Sequence, residues 1–186
     1  WHGTTVASVA AAQSNNGQLV AGMDWNAKVL PVRVSGRCGI ATSSDIVDAF
    51  YWATGSGRVD PTIGVNPNPA NVINLSFATD TPLLGGGCSF ADPVALAIAD
   101  ARARNVSVVV SAGNNSGGAV QYPANCAGSI AAGAAQQNGQ LATYTAKGTG
   151  NDFLTLHSPG NANGFYAAVS NTGSSTPQAN GTALQL

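Results

Sequence analysis

Residues 71–113 read NVINLSFATDTPLLGGGCSFADPVALAIADARARNVSVVVSAG, and this stretch decides the fold class. Its two ends are short β-prone runs, 71–77 (NVINLSF) and 107–111 (SVVVS), the second a β-branched block closed by Ala112-Gly113. Between them, Val94, Ala97, Ile98 and Ala101 recur at helical spacing within 92–104, so one apolar face runs along a helix. Strand, helix, strand in that order predicts a right-handed crossover between parallel neighbours of one sheet. In such sheets ligands collect beyond the carboxyl ends of the strands. Ser76 and Asn114 each follow a strand and are expected to share that edge.

Working outward, residues 4–12 read as a helix of small residues able to lie close to a sheet. Residues 27–34 (AKVLPVRV) read as a strand, and Pro31 demands an edge or an irregular ladder there because it has no amide donor. Ser43-Ser44-Asp45 supplies N-cap chemistry for a helix reaching Ala53, with Ile46, Ala49, Phe50 and Ala53 on one face. The Gly-, Pro- and Asn-rich residues 55–69 are loop. Further strands are expected at 129–132 and 153–156, and 164–170 with 181–186 resemble hairpin arms. The expected architecture is α/β, a three-layer, doubly wound, mostly parallel sheet with helices on both faces, forming one domain over 1–186 that is incomplete at both ends.

Of the 186 residues 44% are apolar and only 8% charged, well below the usual quarter. Such a polar but uncharged surface suits a secreted protein. A net charge of -1 offers no polycation for nucleic acid and no basic face for anionic lipid. No run of about 18 apolar residues spans a membrane. The chain opens on Trp1 rather than methionine, which suggests a piece of something longer. Cys38, Cys88 and Cys126 include no C-x-x-C pair, which argues against thiolate metal binding. Cys38 and Cys88 sit in Gly-flanked loops, so a Cys38–Cys88 disulfide is expected, with three free thiols as the alternative.

Three blocks carry chemistry. His2-Gly3-Thr4-Thr5-Val6-Ala7, Ile73-Asn74-Leu75-Ser76-Phe77-Ala78 and Ala112-Gly113-Asn114-Asn115 resemble, in order and separation, successive blocks of the subtilisin-like serine proteases, the subtilases. The resemblance covers nearly the whole chain and is to the secreted bacterial branch. It implies a serine endopeptidase working through an acyl-enzyme, with a triad running Asp, His, Ser along the chain. By resemblance His2 is the general base, a role an imidazole suits because its ordinary pKa lies near neutrality. Without the neighbouring blocks it reads as a helix-capping or surface histidine. Asn114 is implied as the carboxamide donor to the oxyanion of the tetrahedral intermediate, where alone it would be a turn asparagine.

Ser76, Phe77 and Ala78, with Gly39, Ile40 and Ala41, match segments that flank an extended peptide as edge strands. Ala112, Gly113, Asn115, Gln121 and Tyr122 are implied to line the pocket for the residue before the cleaved bond; ordinary strand-end packing is the alternative for each. Phe77 and Ala78 depart from the family's Leu-Gly and imply a narrower pocket mouth.

Two further departures matter. The family's acid block precedes the histidine, and Asp24, Asp45, Asp48 and Asp80 all follow it. The serine block's nearest match is Asn180-Gly181-Thr182-Ala183, with alanine where the nucleophile belongs. One reading places the nucleophile a few residues beyond Leu186; the other makes Ala183 its replacement in a non-catalytic peptide-binding domain. Either way, the 186 residues alone are expected not to hydrolyse peptides. His157 matches a structural family segment and is read as a loop residue. The loop Asn15-Asn16-Gly17-Gln18-Leu19 corresponds to a frequent calcium site but lacks a carboxylate, so no metal ligands and no cofactor are assigned beyond a weakly supported structural calcium. Expected partners are a protein or peptide substrate and a pro-segment, with a monomeric state and extracellular location. A nucleotide-binding α/β domain would fit the strand pattern, but neither G-x-G-x-x-G nor G-x-x-x-x-G-K-[ST] occurs.

Overall fold

The computed structural model describes residues 2–18, 20–36, 38–79, 88–136 and 138–148, together with the backbone of 156–159. Within these lie α1 (His2–Ala11), α2 (Ser43–Ala53), β1 (Val72–Leu75), α3 (Pro93–Ala103), β2 (Ser107–Ser111), β3 (Ile130–Ala135) and β4 (Leu156–Pro159). The hairpin expected at 164–170 and 181–186, residues 153–155 of the strand expected at 153–156, Asp80 and the Asn180-Gly181-Thr182-Ala183 segment lie outside the described residues. Two compact units divide the chain: one takes in Trp1–Pro31, Gln136–Gln140 and Pro159–Leu186, the other Val32–Ala135 and Leu141–Ser158.

The second unit holds the sheet, in the order β1-β2-β3-β4. β1 runs parallel to β2, pairing Val72 with Ser107 and Leu75 with Val110, and β2 runs parallel to β3, pairing Val109 with Ile130 and Ser111 with Ala132. This is the crossover expected from residues 71–113. α3 makes it possible because its apolar face is continuous: Val94, Ala97, Ile98 and Ala101 are all buried. They pack with Val108 and Val110 of β2 and with Ile46 and Phe50 of α2 in one core.

The ends of α3 follow from local chemistry. Asp92, ahead of Pro93, accepts the Val94 and Ala95 amides at 2.8 and 3.3 Å, and Pro93 loses nothing at a position whose amide has no intrahelical acceptor. At the other end Asn105 takes a left-handed φ of 60°, Val106 donates to the Ala101 carbonyl and Asn105 to Arg102, a Schellman closure that turns the chain into β2.

Three expectations are corrected. Among the described residues, 27–34 join no ladder; Pro31 removes a donor, Val29 and Val32 stay partly exposed, and the pairing described nearby is an isolated bridge between Ser35 and Ala41. The cap of α2 is Thr42, one residue earlier than read, with its hydroxyl accepting the Asp45 amide and donating to the Asp45 carboxylate. The disulfide joins Cys88 to Cys126, with Cα atoms 4.9 Å apart, while Cys38 is free and exposed. Loop flexibility does not select the partner here: Cys126 is buried in the core cluster against which Cys88 packs, whereas Cys38 sits on an exposed turn.

In the first unit, α1 begins two residues earlier than expected and buries Thr5 and Ser8. Beyond α1 the chain returns along its carboxyl end, where Gly22, Met23 and Asp24 donate to the carbonyls of Ala12, Val9 and Ala10. Gly22 must be glycine for this approach, since a Cβ there would fall on the Ala11–Ala12 backbone.

Candidate active site

The parallel register sets Ser76 and Ala112 at the carboxyl ends of adjacent strands, so the edge expected for Ser76 and Asn114 is formed. Ala112 is fully buried; its amide donates to Ala132 and its carbonyl accepts the Gln121 amide at 2.8 Å. Gly113 follows with a φ of 102°, and a Cβ there would fall inside the Gln121 side chain. Glycine is required on both counts.

That side chain also fixes the next residue: the Asn114 amide donates to Gln121 Oε1 at 3.0 Å. Asn114 itself is exposed, and among the described residues its carboxamide has no hydrogen-bond partner. A pinned backbone beneath an uncommitted carboxamide is an arrangement suited to donating a hydrogen bond to a ligand.

Asn115 is used otherwise. Its Nδ2 donates to the Ala119 carbonyl at 2.7 Å, closing its own turn, while its Oδ1 is buried with no partner among the described residues. The turn is held from outside by Ser116 and Gly117, which donate to the Tyr144 and Thr145 carbonyls.

Tyr122 also points inward. Its ring is buried and its hydroxyl donates to Asp92 Oδ1 at 2.8 Å, and burial together with that carboxylate pushes its pKa well above the ordinary tyrosine value. Its backbone exchanges two hydrogen bonds with Thr79, at 2.9 and 3.2 Å, which draws the 76–79 segment alongside 121–122. Ser76, Ala78, Ala112, Gly113, Asn114 and Gln121 therefore form one neighbourhood. Phe77 is about one-third exposed on the same segment, and Asn74 donates to the Ser76 hydroxyl at 2.8 Å.

Gly39, Ile40 and Ala41 form a tight turn, with Gly36 donating to Ile40 and Gly39 to Gly36; Gly39 has a φ of 76° and Ile40 is 75% exposed. The expected edge strand is thus confined to Ala41, through its bridge to Ser35.

Asp92 and Thr79 were not foreseen in the sequence as parts of this neighbourhood. The Asp-Pro pair signals a helix start, but no local pattern reveals that the same carboxylate meets a hydroxyl thirty residues on.

His2, in the first unit, is exposed in the first turn of α1. Asn16 Oδ1 in the following loop accepts the Gln18 amide at 2.9 Å. Among the described residues no three His, Cys, Asp or Glu side chains gather into a metal-ligating group. Asp24 closes its own turn onto the Asn26 and Ala27 amides, and Asp45 belongs to the cap of α2. An open concavity of about 500 Å³ lies at the amino ends of β2 and β3, lined by Arg102, Asn105 and Ser129 among others. It is at the wrong end of a parallel sheet for a ligand site and holds none of the residues above.

A family model described as the Subtilase family matches residues 1–186. The extracellular protease of Xanthomonas campestris pv. campestris is 44% identical over 178 residues, covering 95% of this chain and 28% of that protein. The thermophilic serine proteinase of a Bacillus species is 35% identical over 193 residues, covering 100% of this chain and 42% of that protein. Among solved structures, a protease from Pseudoalteromonas arctica superposes with a TM-score of 0.79 at 38% identity, covering 98% of this chain and 53% of that one. The chain thus spans less than half the length of these two curated relatives.

Proposed function

The chain belongs to the subtilase family, and from that premise we propose that it is the core of an extracellular serine endopeptidase acting on proteins or peptides. The α/β subtilisin fold is shared with a solved protease. In the proposed reaction His2 takes the proton of an attacking serine hydroxyl and later delivers it to the leaving amine. Asn114 donates from its carboxamide to the oxygen that gains charge in the tetrahedral intermediate. The triad acid and nucleophile are proposed to come from sequence flanking these 186 residues, so that this stretch by itself does not turn over peptides. A substrate strand would pair with the main chain of 76–78, leaving its side chains to pockets. In this reading Gly113 and Gln121 border one such pocket with Ala112 buried behind them, and Ile40 flanks the substrate strand.

The observation that carries this reading is the Asn114 carboxamide, exposed and uncommitted at the carboxyl end of β2 above a backbone held by Gln121. The test is made in the full-length protein that contains this chain, with a peptide substrate and a serine-reactive phosphonate that counts working sites. His2→Ala is expected to abolish turnover. Asn114→Ala is expected to lower kcat by roughly 10²–10³, a magnitude taken from a subtilisin asparagine, while KM changes little. Intact turnover in His2→Ala refutes the assignment of the base. Tight peptide binding with no phosphonate labelling in the wild type replaces the enzyme by the non-catalytic binding domain implied by Ala183.

A further inference from the structure

Two cross-links join the same pair of segments in the second unit. Cys88 is bonded to Cys126; four residues further along the first segment, and four residues back along the second, Asp92 accepts the Tyr122 hydroxyl. Asp92 has no exposed surface, and among the described residues its Oδ2 has no hydrogen-bond partner. Helix capping alone does not call for such burial, because Thr42 caps α2 from an exposed position. The burial acquires a purpose from what Tyr122 holds. Its backbone exchanges both hydrogen bonds with Thr79, directly after Ser76-Phe77-Ala78. Its neighbour Gln121 donates to the Ala112 carbonyl and accepts the Asn114 amide. The ring is therefore anchored where the two strand-end segments meet.

We propose that Asp92 is a positioning residue for substrate: through the Tyr122 hydroxyl it fixes residues 121–122, which hold Thr79 on one side and the Gly113–Asn114 backbone on the other. Asp92 touches no reacting atom. It acts by setting where the peptide-pairing segment and the Asn114 carboxamide stand relative to each other, both of which belong to one unit. The inference rests on the function proposed above and goes beyond it, since an imidazole, a serine and a carboxamide could do their chemistry with any buried residue at 92. The disulfide joins the same two segments four residues away on each.

The experiment compares Tyr122→Phe, Asp92→Ala, Asp92→Asn and the core control Ile98→Val in the full-length protein. The readouts are kcat and KM per phosphonate-titrated site, and the Kd of a peptide analogue with a reduced scissile bond. Tyr122→Phe and Asp92→Ala are expected to lower kcat/KM per site by about tenfold and to weaken the analogue, because small displacements of reacting groups carry large rate penalties. Asp92→Asn keeps an oxygen acceptor for the hydroxyl and is expected to stay within about threefold of wild type. Ile98→Val, buried on the same helix, loosens the core and leaves per-site kinetics unchanged. Should Asp92→Ala not fold, Tyr122→Phe decides, since it removes a single oxygen. An active wild type whose Tyr122→Phe variant is unaltered per site, or altered no more than Ile98→Val, overturns the positioning role and leaves the proposed function standing. A wild type that neither cleaves peptide, labels with phosphonate nor binds the analogue overturns both.

Discussion

Replacing both Cys88 and Cys126 by alanine tests the corrected disulfide and its energetic weight. The bridge closes a sequence separation of 38 residues. In the chain-entropy description this removes about 13 cal/mol/K from the unfolded ensemble, or roughly 3.9 kcal/mol at 25 °C. The native segments should hold their places without it. Asp92 still accepts the Tyr122 hydroxyl, Thr79 still pairs with Tyr122, and Ala124 and Val120 remain in the core. The loss is therefore expected mainly through the unfolded state, at about 3–4 kcal/mol, with little change in the folded-state spectrum. Denaturant unfolding of the oxidised full-length protein and the double variant gives the difference from the two midpoints. Peptide mapping without reduction gives the pairing, and of Cys38, Cys88 and Cys126 only Cys38 should react with a maleimide in the native protein. A double variant within about 1 kcal/mol of wild type refutes the entropic reasoning. A peptide cross-linking Cys38 to Cys88 or to Cys126 refutes the pairing itself.

Burial and Asp92 hold the folded-state pKa of Tyr122 above the ordinary 10.0, so its contribution to stability is complete below about that pH and is lost as pH rises through the folded value. Unfolding titrations above pH 10 should show a decline in wild type that is shallower in Tyr122→Phe; parallel curves would contradict the assignment. Gly113→Ala must both adopt a φ of 102° and expel the Gln121 side chain, so it should cost more than Gln121→Gly, and the pair together should cost less than their sum. Strict additivity in that cycle would show that the two do not compete for space. Thr42→Ala removes the cap of α2 and its hydrogen bonds with Asp45, and should lower stability by about 1 kcal/mol in thermal or denaturant melts.

What was readable in the sequence, and what was not, divides along a physical line. The face Val94, Ala97, Ile98 and Ala101, the β2 run and the shared carboxyl edge are all set by periodicity along a few consecutive residues. Those were legible. Residues 27–34 show the limit of that approach, because a strand exists only where a partner offers its main chain, and Pro31 weakens the offer from this side. The disulfide shows it again: three cysteines allow three pairings, and tertiary proximity alone chooses among them. At the candidate site, the resemblance supplied Asn114, Gln121 and Tyr122 as a group. It could not say that Asn115 and Tyr122 turn their polar ends inward while Gln121 reaches over Gly113. Those directions depend on Ala119, Asp92 and the Asn114 amide, none of which announces itself by spacing. The same holds for Phe77 and Ala78, where the departure from Leu-Gly was visible but the pairing of the following Thr79 with Tyr122 was not.

The strand register also governs how quickly the molecule can assemble. Val72 must wait for Ser107, 35 residues on (107 − 72), and Val109 for Ile130, 21 residues on (130 − 109). No local turn can zip these ladders, so each requires a long loop to close before any pairing is gained, which places folding on the slow side of small domains. Until β2 arrives between its neighbours, the β-branched run at Val108–Val110 has nothing to shield it from other copies of the chain. Refolding yield should therefore fall steeply as protein concentration rises.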